Sequence, residues 1–493
     1  MADTSSNRST IPSSPTFADF IAGGWAEHDD TAPAPRSAAE HANRRRMDLA
    51  SRHPDSVLII PAGPLRVRSN DTDYPYRPHS AFAHLTGWGS DAVPNSVLVI
   101  DTRNMDTRSI DTSGADEVST LFFRPTAGRD SDEFYANSAI GEFWTGPRPS
   151  LANVAADLGL PTRPLSELAP TLETLVESAP LVIVRSADSE LAAQVDRLRD
   201  GDDTDPDTAL ERAVSELRLV KDPWEVEQLR QAVDATRQGF EDVIRDLPQI
   251  VAHARGERLV EGTFNRRARA EGNHVGYDTI AASGAHACIL HWTRNDGAVR
   301  AGDLILVDAG VEIDSLYTAD ITRTLPVSGT FSPVQRRVYE TVREAADAAF
   351  AIVRPGIRFR EVHAAAMAVI ATRTAEWGFL PVSALESLEP DAQYHRRYMV
   401  HGTSHHLGLD VHDCAQARRD LYLDGVLEAG MVFTIEPGLY FQPDDLTVPA
   451  EYRGIGIRIE DDIVVTDSGA ESLSSGIPRT ADEVEAWIAE LSA

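Results

Sequence analysis

Four carboxylates and one imidazole stand in short apolar stretches of the last third of this chain. They occur in Leu306-Val-Asp308-Ala-Gly310, Thr318-Ala-Asp320-Ile-Thr-Arg323, His401-Gly-Thr-Ser-His405, Thr434-Ile-Glu436-Pro-Gly438 and Arg458-Ile-Glu460-Asp461. Four acids and one histidine are enough to hold two divalent metal ions through bridging oxygens. They would leave positions open for a hydroxide and a substrate carbonyl, the equipment of a hydrolase.

Each residue also has a plainer reading. Asp308 follows the apolar run Leu304-Ile-Leu-Val307, where a carboxylate is costly unless it is paired or binds a cation. It could instead cap the Ala-Gly turn. Asp320 follows after twelve residues. A hairpin of that length brings the two acids together, and a cation removes their repulsion; the alternative is that Asp320 pairs with Arg323. Glu436 lies between Met431-Val-Phe-Thr-Ile435 and Pro437-Gly438. Glu460 ends Gly454-Ile-Gly-Ile-Arg-Ile459, in which Ile455, Ile457 and Ile459 share one strand face and Arg458 and Glu460 the other. Its alternative is an ordinary Arg–Glu arrangement on a sheet. His405 shares the run His401 to His412 with His406, Gly402 and Gly408. The glycines disfavour a helix and leave the histidines splayed along a loop or strand rim, a grouping that points to a site. His291, in Cys288-Ile-Leu-His291-Trp292, is a candidate of the same kind.

The elements that must carry these residues alternate. Residues 1–40, rich in Ser, Pro, Thr and Asp, are expected to be a disordered tail with a short ordered patch around Phe17 to Trp25. Ser56-Val-Leu-Ile-Ile-Pro61, Ser96-Val-Leu-Val-Ile-Asp101, Thr120-Leu-Phe-Phe-Arg124 and Leu181-Val-Ile-Val-Arg185 read as buried strands with helical stretches between them. The pattern predicts an α/β domain over residues 41–205. The acidic run Gly201-Asp-Asp-Thr-Asp-Pro-Asp207 is the best linker. Over 206–485, Asp222-Pro223 opens a long helix to about Asp246, and Ser332-Pro333-Val-Gln335 is a capping box. A further helix spans about 360–377, and the strands follow the helices in hairpin-like pairs, roughly twice, which is an α+β pattern.

At 493 residues with 42% apolar content the chain fits two domains. Its net charge of −31 disfavours nucleic acid and anionic membranes as partners. No run of about 18 apolar residues predicts a membrane span. The first twenty residues lack a basic start and an apolar core, so no secretory signal is expected. With only two cysteines, Cys288 and Cys414, a cytoplasmic location follows. Both thiols are expected to be packed into a site wall rather than to act as redox groups or nucleophiles.

The motifs together resemble the Xaa-Pro aminopeptidases, the aminopeptidase P group of the pita-bread metallopeptidases. The matching stretches are Ile280 to His291, Val307 to Gly310, Asp320 to Thr324, His401 to Asp413, Thr434 to Tyr440 and Gly454 to Asp462. Tyr74-Pro-Tyr-Arg77 and Leu85-Thr-Gly87 resemble that family's N-terminal domain more loosely. The resemblance implies a creatinase-like α/β N-terminal domain, a pita-bread α+β catalytic domain and two divalent ions, typically Mn²⁺. Asp308 would bind one ion, Asp320 and Glu460 would bridge both, and His405 and Glu436 would complete the other. A hydroxide between the ions would attack the carbonyl before proline, with Glu436 carrying the proton. His291, His401 and His412 would contact the substrate, and Tyr440 and Arg458 would support its proline end. Peptides with proline in second position are the implied partners, in a homo-oligomer.

Two departures stand out. Where the family often reads Ser-Asp-Phe-Trp-Tyr, this chain has Ser80-Ala-Phe-Ala-His84. A tryptophan that some members lend to a neighbouring subunit is therefore absent at Ala83, and Trp88 is the residue that could compensate. The Asp308–Asp320 interval is about one residue longer than in many members, and Met105 to Thr126 is a divergent insert. Two other readings stay open: a prolidase that cleaves only dipeptides, and a binding protein on the same fold that has lost catalysis.

Overall fold

The computed structural model describes residues 11–26, 31–70, 72–103, 118–199 and 204–492. It divides into two compact units, Met1–Leu210 and Glu211–Ala493, the division falling within the helix Asp205–Glu216. Most of the insert expected around 105–126, part of the N-terminal tail, and residues 201–203 of the acidic run lie outside the described residues. Asp205 to Asp207, expected as linker, are the first turn of that helix.

In the first unit a helix Pro15–Ala22 occupies the expected ordered patch, capped by Ser14. A five-stranded mixed sheet follows, in the order Thr162–Pro164, Ser119–Phe123, Val97–Asp101, Val57–Pro61, Leu181–Ile183. Its outer pairs are parallel and its inner pairs antiparallel. Val57 and Ile59 pack with Leu168, Leu172, Leu191 and Val195 of two covering helices, while the alternate residues Leu58 and Ile60 are equally buried. Burial of both faces is why these strands read as continuous apolar runs. Trp88 is buried here, edge-on to Phe123 at 5.5 Å between ring centroids. This corrects the expectation that it could serve a neighbouring subunit: its ring is part of the unit's own core.

The second unit repeats one arrangement. The helices Pro223–Ala252 and Gly256–Glu271 precede the antiparallel sheet Ile321–Pro326, Leu304–Ala309, Ile280–Ser283. Then Pro333–Ile352 and Phe359–Glu376 precede Val432–Ile435, Asp461–Val465, Ala470–Ser472. The first helix starts at a capping box in which Asp222 accepts from the Glu225 N–H and Glu225 from the Asp222 N–H. It runs past Asp246 and through Pro248, which forfeits one helical N–H bond; buried Ile250 anchors the last turn. The Ser332–Gln335 capping box also forms.

One expected strand is two. The segment Ile455 to Val465 breaks at Ile459–Glu460. Gly456–Arg458 pairs with Gly438–Tyr440, and Asp461–Val465 pairs with Val432–Ile435. The break is matched opposite by Glu436-Pro437, where proline has no N–H for a ladder. Freed from the ladder, the Glu460 N–H donates to the Thr322 carbonyl of the other sheet at 3.1 Å. Among the described residues no helix is long and apolar enough to cross a membrane.

Candidate metal centre

Asp308 and Asp320 stand on neighbouring strands. Leu304–Ala309 and Ile321–Pro326 pair antiparallel with Asp308 opposite Thr322, so the hairpin brings Asp320 alongside. The close approach needs Gly310, because a side chain there would overlap the Ala319 carbonyl oxygen. His405 comes from an extended segment, 403–407, that runs beside the strand Val432–Ile435. The Thr434 N–H donates to the His405 carbonyl at 2.9 Å, and the Glu436 N–H to the Thr403 carbonyl at 2.8 Å. Glu436 and Glu460 occupy the two facing strand breaks. The sheets thus deliver all five side chains to the floor of one cavity of about 600 Å³.

There His405 Nε2 lies 3.2 Å from an Asp320 oxygen and 3.7 Å from a Glu436 oxygen. Atoms of Asp320, His405 and Glu460 lie within 4.8 Å of one another, close enough to share a metal ion. His405 Nδ1 faces the His406 carbonyl at 3.2 Å, which makes Nδ1 the donor to the backbone and turns Nε2 toward the carboxylates. The plainer readings of the acids do not describe this arrangement. Arg323 does not pair with Asp320: it is fully buried and bonds Asp461, the Glu460 carbonyl and the carbonyls of Ile477 and Pro478. Glu460 accepts from the Thr322 hydroxyl at 2.7 Å, and it is Asp308 that pairs with Arg458.

The electrostatics are those of crowded buried acids. Burial, then the neighbouring carboxylates, raises Glu460 well above the ordinary range. Burial also raises Asp308 and Glu436 against the pull of Arg458. Burial opposes a charged His405, yet Asp320 and Glu436 outweigh it and hold the imidazole up at about 9. Asp462, expected only as the end of a motif, is fully buried, accepts from the Asp320 N–H at 3.2 Å and is raised well above its usual value by burial and Asp320.

The remaining candidates are placed around this floor. His291, His401, His412 and Arg458 line the cavity. His412 stands edge-on to His405 with ring centroids 4.4 Å apart. His401 Nδ1 faces the Gly402 carbonyl at 2.6 Å and lies 3.6 Å from Glu436, while its Nε2 is 2.8 Å from the Tyr440 hydroxyl. Burial and Arg458 lower His401 to about 3, so the ring is neutral. Tyr440 sits behind the wall, where it accepts from Arg458 at 3.1 Å and braces His401. His406 turns away from the cavity and stacks on Phe359. Both cysteines are buried and free; the Cys288 thiol donates to the Phe441 carbonyl at 3.3 Å. Sequence reasoning missed Tyr277, whose hydroxyl lies between Asp308, at 2.7 Å, and Asp320.

Residues 227–467 match the model of metallopeptidase family M24, and residues 41–184 match that of the aminopeptidase P N-terminal domain. The chain is 51% identical over 466 residues to Xaa-Pro aminopeptidase 2 of Streptomyces coelicolor, covering 94% of each. It is 35% identical over 463 residues to the Xaa-Pro aminopeptidase of Escherichia coli, covering 91% of this chain and 97% of that one. Among solved structures, aminopeptidase PepP of Pseudomonas aeruginosa matches with a TM-score of 0.78 at 30% identity, over 92% of this chain and 99% of that one. Aminopeptidase P from Escherichia coli with the inhibitor Pro-Leu matches with a TM-score of 0.76 at 32% identity, over 93% and 99%.

Proposed function

The chain belongs to metallopeptidase family M24, among the Xaa-Pro aminopeptidases, and on that premise we propose that the cavity floored by Asp308, Asp320, His405, Glu436 and Glu460 is where the bond before proline is cut. The protein is a metal-dependent hydrolase that releases an N-terminal residue followed by proline. The observation that supports this location is the convergence of four carboxylates and the His405 Nε2 on one cavity.

The donor set fits divalent cations. Several buried carboxylates face each other with Arg458 and His405 as the nearby positive groups, an arrangement that a cation would relieve. We assign Asp308, Asp320, His405, Glu436 and Glu460 as the residues that hold two ions. All-oxygen acids with one imidazole suit Mn²⁺. Bound there, divalent ions polarise the scissile carbonyl and make water a stronger nucleophile. Glu436, raised by burial, is suited to take a proton from the attacking water and pass it to the leaving proline nitrogen. His401 is neutral and carries its proton on Nδ1, since Nε2 accepts from Tyr440. Its orientation is set through the chain Arg458–Tyr440–His401. His291 and His412, on the cavity wall, are assigned to the peptide and its developing negative charge.

Unpaired buried thiols support a cytoplasmic location. Assembly as a homo-oligomer is carried from the resemblance and is read by sedimentation. The test of the site is Asp320→Ala and Glu436→Ala. Each is expected to lower kcat on an Xaa-Pro-Pro peptide by at least ~10²-fold, with Asp320→Ala also losing bound metal. Parental activity in either variant contradicts the assignment.

A further inference from the structure

Glu257 is a buried acid outside the metal centre. It lies in the first turns of the helix Gly256–Glu271 and is fully inaccessible. No lysine or arginine pairs with it among the described residues; the basic group within ion-pair distance is His286. Instead its two oxygens are filled from one loop. Oε1 accepts from the Ser283 N–H at 2.8 Å and lies 2.7 Å from His286 Nδ1. Oε2 accepts from the Trp292 indole N–H at 2.9 Å and the Gly297 N–H at 2.6 Å. An ionised carboxylate offers about four lone-pair sites, and here all four are used. The Glu257 N–H donates back to the Gly297 carbonyl at 3.1 Å.

These partners are spread along residues 283–297, at both ends and on either side of His291. His286 and Trp292 stack at 3.9 Å between ring centroids, closing the loop over the carboxylate. Gly297 lets the carboxylate approach, since a Cβ there would lie 2.7 Å from Oε2. Two residues earlier, Asn295 in the left-handed region, with φ 47°, bonds the Ala281 N–H and the Thr279 carbonyl and ties the loop to its own sheet. His291 itself stands exposed at the cavity wall. A buried carboxyl group is tolerated only where its hydrogen bonds are complete. The loop must therefore keep one conformation to keep Glu257 satisfied.

We infer that Glu257 is a positioning residue that fixes the loop 283–297 and thereby aims His291 into the cavity. The inference rests on the reading of His291 as a substrate contact. Glu257→Gln keeps the volume but replaces one acceptor oxygen by a donor, so at least one N–H must lose its partner. The experiment is a double-mutant cycle of Glu257→Gln with His291→Ala on the metal-loaded enzyme, with metal content measured for every variant. Amide exchange over residues 283–297 is followed alongside. With metal content unchanged, Glu257→Gln is expected to lower kcat/KM for an Xaa-Pro-Pro peptide by ~10-fold, but by less than ~2-fold when His291 is already Ala. Exchange in the loop should accelerate. If His291→Ala is impaired and Glu257→Gln still costs its full factor on top, the positioning role is overturned while the site reading stands. If His291→Ala is as active as the parent, the site reading fails and the inference falls with it. Should Glu257→Gln not fold, Trp292→Phe removes the indole donor and trims the ring while keeping an aromatic face toward His286. The same cycle then expects a smaller loss, ~3-fold, that vanishes in His291→Ala; a loss that persists there overturns the inference.

Discussion

Tyr277 shows how much of the cavity floor is built outside the five residues proposed to hold metal. Its hydroxyl stands between Asp308 and Asp320, and burial with those two acids keeps the phenol protonated. A donor held there orients both carboxylates and offsets part of their repulsion. Outer partners of this kind commonly change metal affinity by about 10–100-fold. Tyr277→Phe is therefore expected to raise the free Mn²⁺ needed for half-maximal activity by ~10-fold, measured in a chelator-buffered titration. An unchanged midpoint contradicts that role. The sequence offered little to find it: Gly276-Tyr277-Asp278 precedes the strand that carries the motif and looks like any loop tyrosine. Asp462 was hidden differently, within an acidic pair whose other member, Asp461, pairs with Arg323 and serves structure.

At the scale of elements, the cavity floor depends on the two strands of the Asp308–Asp320 hairpin being held at contact distance. Gly310 is the tightest point. Gly310→Ala would push the Ala319 carbonyl away and part the strands that carry Asp308 and Asp320. The expected result is a folded protein whose kcat/KM is lowered at least ~10²-fold with weakened metal retention, since an ångström of misplacement in a reacting site costs that much. Parental activity with parental metal content would show that the strands can give. Helix starts were legible because Asp222-Pro223 and Ser332-Pro333 state their capping chemistry locally. The helix Gly256–Glu271 was not, because its buried apolar side chains are Val260, Phe264 and Ala268 among many charged residues. The strand break at Ile459–Glu460 was also hidden. Alternation of isoleucines continues across it, and the cause lies in the partner strand at Pro437. Pattern within one segment cannot report a partner's missing N–H.

The whole molecule carries a net charge of −31 and holds several histidines neutral inside the fold. His363 is lowered to about 4 by burial and by Arg396, against 6.5 when unperturbed. Between those values the unfolded chain binds a proton that the folded chain refuses. Stability from this residue is therefore complete above pH 6.5 and is lost as pH falls toward 4. Melting temperature should drop over that window, and His363→Gln should show a shallower drop than the parent; equal slopes contradict the account. Which residues gather at the cavity was legible from motif order, because buried acids need partners. The measurement that bears most directly on the central claim is hydrolysis of an Xaa-Pro-Pro tripeptide and an Xaa-Pro dipeptide, with EDTA and then with added Mn²⁺. The account predicts release of the first residue from the tripeptide, abolished by EDTA and restored by metal. Cleavage of the dipeptide alone, or of neither with metal bound, would contradict it.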